Sequence, residues 1–200
     1  RDITDASQPQ SLSVVSLTGP SDSVSSYSPA ATITSYENKG YKFISSTYPT
    51  TGLIFDSDTN TAQVYTVDFT RGTAVITPQA PGKPGEPVDP DNPGGVKWPV
   101  GTDHVADLTR TVYRTITYLN ENGTVLAPTH SDQVSFSSYA TVDLVTGTIT
   151  PSNRWTVTST NPDGSADTTL SAVKNPVIMG YYTTASQVPE ITGLTHTSED

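Results

Sequence analysis

Apolar and polar residues alternate along much of this chain, and that period of two predicts strands more often than helices. Leu12–Leu17 (LSVVSL) reads as a strand ended by Gly19-Pro20. Tyr41–Thr47 and Val64–Phe69 read the same way, with Val64, Thr66 and Asp68 facing opposite Tyr65, Val67 and Phe69. Between them Ser28 offers an N-cap hydroxyl, Pro29 suits the first helical position and Gly40 suits the C′ position. The intervening AATITSYENK puts Ala30, Ile33 and Tyr36 on one side, which predicts a three-turn amphipathic helix. A long strand over Leu108–Leu119 turns at Asn122-Gly123, a strong hairpin signal. Val134–Val145 and Thr148–Thr158 follow, turned at Thr146-Gly147, and Asn161-Pro162-Asp163-Gly164 makes a further turn.

Proline divides this pattern. It stands at positions 78, 81, 84, 87, 90, 93 and 99. That spacing predicts an extended, semi-rigid polyproline spacer over 78–101 between modules at 1–77 and 102–200. A repeat joins the halves: Gly40-Tyr41, Ser46, Pro49 and Gly52-Leu53 recur as Gly180-Tyr181, Ser186, Pro189 and Gly193-Leu194. Two copies of a β-β-α-β-β unit account for it, with Pro176 shortening or breaking the second helix. On this alignment the chain reads as a piece of a longer array, the first module short of its first strand and the second of its last. Vacant places in those sheets would invite strand addition.

Composition narrows the chemistry. The 200 residues carry 20 acidic and 10 basic side chains, a net charge of −10, which argues against nucleic acid as a partner. Hydrophobic residues make up 33%, and no run reaches the ~18 residues a membrane helix needs. There is no cysteine, so disulfides, thiolate metal sites and cysteine nucleophiles are absent. Arg1–Gln10 has no apolar core, so it does not read as a signal peptide. His104, His130 and His196 lack metal-ligand spacing, no G-x-S-x-G elbow occurs, and the reading is of a non-enzyme.

The segments YENKGYKFISSTYPTTGLIFDSD, PGKPGEPVDPDNPGGVKWPVGTD, TVYRTITYLNENGTVLAP, VDLVTGTIT and AVKNPVIMGY together resemble a mucus-binding (MUB-type) repeat. Such repeats build cell-wall adhesins of lactobacilli and related Gram-positive bacteria. The resemblance implies an α+β, strand-rich fold of two tandem ubiquitin-like β-grasp modules, elongated, and similar to those of immunoglobulin-binding protein L. It also implies a secreted, wall-attached protein that adheres to host mucin glycoproteins, with immunoglobulins as alternative partners and a ligand-free stalk as the rival role.

Candidate ligand residues follow from sugar chemistry. Trp98 and Trp155 are the aromatics best suited to stacking on a sugar ring, although Trp155 alternates with Val157 as a core residue would. Tyr27, Tyr48 and Tyr182 are second choices. Arg110 and Arg114 share a strand face with Val112 and Ile116; they either cover the core edge with their aliphatic stems or contact a glycan carboxylate. Asp56-Ser57-Asp58-Thr59-Asn60 begins like an oxygen-rich calcium loop but has Thr61 where glycine belongs and Val67 where glutamate belongs. It reads as an acidic turn, with a weak calcium site at Asp56, Asp58 and Asn60 as the alternative; no other cofactor is indicated.

Overall fold

The computed structural model describes residues 1–200. The chain forms one short α-helix, one 3-10 turn at Ala106–Leu108 and ten strands in two compact units. The first comprises Arg1–Ile76, Gly82–Asp103 and Thr141–Thr150; the second comprises Thr77–Pro81, His104–Ala140 and Pro151–Asp200. Neither the proline-rich stretch nor the strand pattern of the second half respects a single cut.

In the first unit, helix α1 spans Ala30–Glu37, two turns rather than three. The Ala30 amide bonds the Ser28 hydroxyl at 3.3 Å, and Gly40, at φ +92°, ends the helical stretch. Strand β1 (Tyr41–Ser46) pairs antiparallel with β2 (Val67–Arg71), Phe43 opposite Phe69 and a bulge at Ile44. The second strand thus begins three residues later than the alternation predicts, leaving Val64 exposed. Phe69 is buried, and the rings of Tyr36, Tyr41 and Phe43 pack on it with centroids 5.2–6.2 Å away. Aromatic rings in such tilted and edge-on contacts carry this small core.

The expected vacancy beside the second strand is filled from this chain. Phe69 donates to the Arg1 carbonyl at 2.8 Å, and Ile3 donates to the Phe69 carbonyl at 2.7 Å, a parallel pairing. Asp2 then bridges back to Gln10. Leu12–Leu17, by contrast, forms no ladder, and Val14 is exposed. The pairing that the alternation misses lies nearby: Asp22–Ser25 bonds to Leu53–Phe55, with Leu53 buried.

A second sheet places β3 (Thr73–Ile76), β6 (Ala140–Asp143) and β7 (Ile149–Pro151) side by side. Here three main chains meet. The Gly72 amide bonds the Gly40 carbonyl at 2.8 Å, and the Leu144 amide bonds the Gly72 carbonyl at 2.9 Å. A Cβ on Gly40 would lie 2.5 Å from the Leu144 carbonyl oxygen. Glycine is therefore required twice over, by its backbone angle and by space.

The proline-rich segment is not an extended spacer. It doubles back as an irregular hairpin: Gly82 donates to Thr102, Gly85 to Trp98, Trp98 to Glu86 and Val88 to Val96, all at 2.9–3.0 Å. Proline at every third position removes its own donor but leaves these neighbours free to pair. Turns at Asp89–Asn92 and Asn92–Gly95 close the tip.

In the second unit, β4 (Thr109–Leu119) and β5 (Val125–Ser137) form the longest ladder, turned at Gly123 (φ +79°). Strand β8 (Thr156–Val157) pairs with the far end of β5. The predicted strands Val134–Val145 and Thr148–Thr158 are each broken, at Ser138-Tyr139 and Ser152–Trp155. Buried Ser138 explains the first break, since its hydroxyl bonds the Ser152 and Arg154 carbonyls at 3.3 and 2.7 Å. The core is Val112, Val134, Phe136, Leu170 and Leu194, flanked by Trp155 and Val157. The second copy of the helix does not form. Pro176 lacks the donor, and the preceding residues instead make β9 (Val173–Lys174), paired with β10 (Gln187–Val188).

The main-chain crossing yields a prediction. Gly85, at φ +83° with open space around its Cβ position, should cost about 1 kcal/mol on substitution by alanine. Gly40→Ala should cost about 2 kcal/mol more, because backbone rather than a flexible side chain blocks it. Urea denaturation of the two variants checks this, and equal costs would contradict it.

Candidate ligand-binding surface

Strand β4 of the second unit displays Arg110, Val112, Arg114, Ile116 and Tyr118 on its inward face, as the alternation requires. Arg114 is buried. Its Nε donates to Asp132 Oδ1 at 3.0 Å and its Nη2 to Asp132 Oδ2, a bidentate pair. Its remaining donors reach the carbonyls of Leu170, Pro189 and Ser171 at 3.4, 3.2 and 2.6 Å. This guanidinium joins the β4–β5 ladder to the segment around Leu170 and Pro189, with its N–H donors engaged inside the chain. Arg110 is half-buried and bonds the Thr111 and Ser198 carbonyls and Asp200, the last at 3.1 Å. Both guanidinia are thus bonded within this chain, to aspartates and main-chain carbonyls.

Trp155 lies against the core, and its ring stacks on that of His196 with centroids 4.8 Å apart and planes 6° from parallel. One ring face is thus already covered. Trp98 is half-buried inside the proline-rich hairpin, where its ring edge sits against Gly82. Tyr27 and Tyr48 pack on each other edge to face, 5.6 Å apart, and the Tyr48 hydroxyl bonds the Tyr27 carbonyl. Tyr182 is fully exposed, at the tip of a loop closed by Asn175, which bonds Ser186 and Ala185. Val177 and Met179 share that exposed tip.

Asp56, Asp58 and Asn60 are all exposed, and they form successive side-chain-capped turns. Asp56 Oδ1 accepts the Asp58 amide at 3.1 Å, and Asp58 Oδ1 accepts the Asn60 amide at 2.8 Å. The backbone amide of Asn60 holds the Asp58 carboxyl below its usual range. The local geometry is that of Asx turns.

Two hollows are lined by polar residues. One, of about 220 Å³ in the first unit, is lined by Asp2, Thr4, Asp5, Gln8, Gln10 and Arg71. Arg71 there is shared between Asp2 at 3.1 Å and Asp143 at 3.4 Å. Burial pushes the Asp2 carboxyl up, but Thr4 and Arg71 outweigh it and hold the group low. The other, of about 150 Å³ in the second unit, is lined by side chains that include Thr77, Ser137, Ser138, Tyr139, Arg154 and Thr156, with no carboxylate. The sequence reading passed over Arg154, although its alternation with Trp155 puts it on the outward register.

Comparison with known proteins decides the family. Residues 2–71 match the "Mucin binding domain" family, and residues 103–200 match the "Muc B2-like domain" family, so the two matches flank the proline-rich hairpin. The chain is a mucus-binding repeat. It is similar to the solved type 2 repeat of the mucus binding protein MUB from Lactobacillus reuteri, at 25% identity and TM-score 0.50, over 98% of this chain and 90% of that one. It is also similar to the crystal structure of Mub-RV, at 27% identity and TM-score 0.62, over 92% of this chain and 83% of that one. No curated protein matches it in sequence. No helix of this repeat is long and apolar enough to cross a membrane.

A structural role for Arg114 has measurable consequences. Arg114→Ala should destabilise the second unit by about 3–5 kcal/mol, because it strands Asp132 and three carbonyls; Arg110→Ala should change stability little. The Arg114 hydrogen bond, opposed by burial, lowers the Asp132 carboxyl. Its stabilising contribution is therefore complete above the ordinary aspartate value of ~3.9 and is lost as pH falls through the lowered one. An Asp132→Asn variant should lose that acid-side slope in a pH series of denaturation curves, and an unchanged slope would contradict the assignment.

Proposed function

We propose that this repeat belongs to an extracellular, wall-attached bacterial adhesin that holds mucin glycans weakly through each copy and strongly through many. The observation that carries the reading is the pair of mucin-type family matches flanking the proline-rich hairpin. The surface chemistry is consistent with weak contacts: the hollows are small and polar, and Ser and Thr together exceed a quarter of the residues. At a net charge of −10, attraction to sialylated or sulfated mucin cannot be long-range, so it must come from local groups. Repetition converts such contacts into avidity by raising effective concentration.

We read the units as β-grasp modules. In the first, a helix packed through Tyr36 on Phe69 and the parallel pairing of Arg1–Ile3 with that strand favour the reading. In the second, which has no α-helix, the support is the repeated positive-φ glycines: Gly180 and Gly193 answer to Gly40 and Gly52.

Surface plasmon resonance on immobilised mucin tests the function. A single copy should bind weakly, and a tandem of four copies should bind about 10²–10⁴-fold more tightly. Failure of the tandem to bind mucin would overturn the reading in favour of a stalk, and capture of immunoglobulin alone would overturn it in favour of a protein L-like role.

A further inference from the structure

We propose that the hollow beside Arg154 is a subsite for the carboxylate of an acidic sugar; this rests on the adhesin reading above. The five arginines are used unevenly. Of five, four are tied to aspartates: Arg1 to Asp68 at 2.8 Å, Arg71 to Asp2 at 3.1 Å, Arg110 to Asp200 at 3.1 Å and Arg114 to Asp132. The guanidinium of Arg154 makes neither an ion pair nor a hydrogen bond. In a chain with twice as many acids as bases, a solitary exposed guanidinium is the unusual case.

Its backbone, by contrast, is fixed. The Arg154 amide donates to the Ser152 hydroxyl at 3.0 Å, and its carbonyl accepts from the Ser138 hydroxyl at 2.7 Å. Thr156 is held by its ladder pairing with Ser137, and the Ser152 amide donates to the Tyr139 carbonyl at 2.8 Å. The side chain therefore stands on a rigid base, which limits the ordering cost of engaging a ligand. Trp155 and Val157 turn toward the core, so Arg154 and Thr156 occupy the outward register.

The lining selects the ligand. A guanidinium presents two parallel N–H donors that match the oxygens of a carboxylate. Hydroxyls of Thr77, Ser137 and Thr156 and the ring of Tyr139 surround it, a set that can bond sugar hydroxyls and cover one apolar ring face. The larger hollow differs in sign: Asp2 and Asp5 line it, and its Arg71 is already shared by two aspartates. An acidic sugar is repelled there and accepted here. With about 150 Å³, the Arg154 hollow takes part of one sugar residue and leaves affinity to the array.

The test uses the whole chain, with amide chemical shifts followed by NMR. The probes are the methyl α-glycoside of N-acetylneuraminic acid, N-acetylgalactosamine 6-sulfate and neutral N-acetylgalactosamine. The carboxylate probe should shift the amides of Ser137–Tyr139 and Arg154–Thr156. Arg154→Gln should weaken that binding about tenfold or more while leaving the melting temperature unchanged, since the side chain makes no internal bond. Shifts that persist in Arg154→Gln, shifts produced as well by the neutral sugar, shifts from the sulfated probe alone, or no shifts at all would each overturn the subsite. Mucin capture by the four-copy tandem is read separately. Capture without shifts in this hollow would remove the subsite and leave the adhesin reading intact.

Discussion

Pairing between arginine and aspartate is the interaction on which the rest of this structure depends. Only a third of the residues are hydrophobic, and the main core cluster of the second unit holds five buried side chains. So small an apolar interior leaves the closing of each unit to polar bonds. Arg114 does this in the second unit by gathering Asp132 and three carbonyls from two other segments. Arg1 and Arg71 do it in the first, where Asp68, Asp2 and Asp143 lie on three different stretches of chain. Removing one partner of such a knot leaves a poorly solvated charge, which is why these positions belong to folding rather than to recognition.

The same economy shapes the backbone. Residues 141–150 lie with the first unit, although they follow the long hairpin of the second in sequence. They are held by the Asp143 carboxylate at Arg71 and by the Leu144 amide at Gly72. Gly40, whose φ of +92° ends the helix, also leaves the room that the Leu144 carbonyl occupies, since a Cβ there would lie 2.5 Å from that oxygen. One glycine thus couples a helix end to a strand a hundred residues later.

Much of this was legible in the sequence. Helix α1, β1, the start of the long second-unit strand and the turns at Gly123 and Gly147 follow from capping residues and alternation. The repeated glycines mark positions that do share positive backbone angles. Ser138 was not legible as a break, because burial alternates through it from Val134 to Val142 without a skipped beat. The proline-rich hairpin was misread because the proline period hides the donors of Gly82, Gly85 and Val88. Leu12–Leu17 has the right pattern for a strand but no ladder to join, and pattern alone cannot supply a partner. Among the ligand candidates, Arg110 and Arg114 share a strand face with apolar residues, a pattern that fits either a core edge or a ligand contact. The partners that engage Arg114 come from positions 132, 170, 171 and 189, which no local pattern reveals. Arg154 stood beside a core tryptophan and was overlooked.

The central claim is that three arginines, Arg1, Arg71 and Arg114, hold the fold and that Arg154 faces a ligand. Hydrogen exchange at the arginine side-chain Nε–H groups, followed by NMR on the whole chain, tests it most directly. The Nε–H groups of Arg1, Arg71 and Arg114 each donate to an aspartate, at 2.8, 3.1 and 3.0 Å, and should exchange slowly. That of Arg154 should exchange at the rate of a free arginine. An Arg154 signal as protected as that of Arg114, or an Arg114 signal at the solvent rate, would contradict the account.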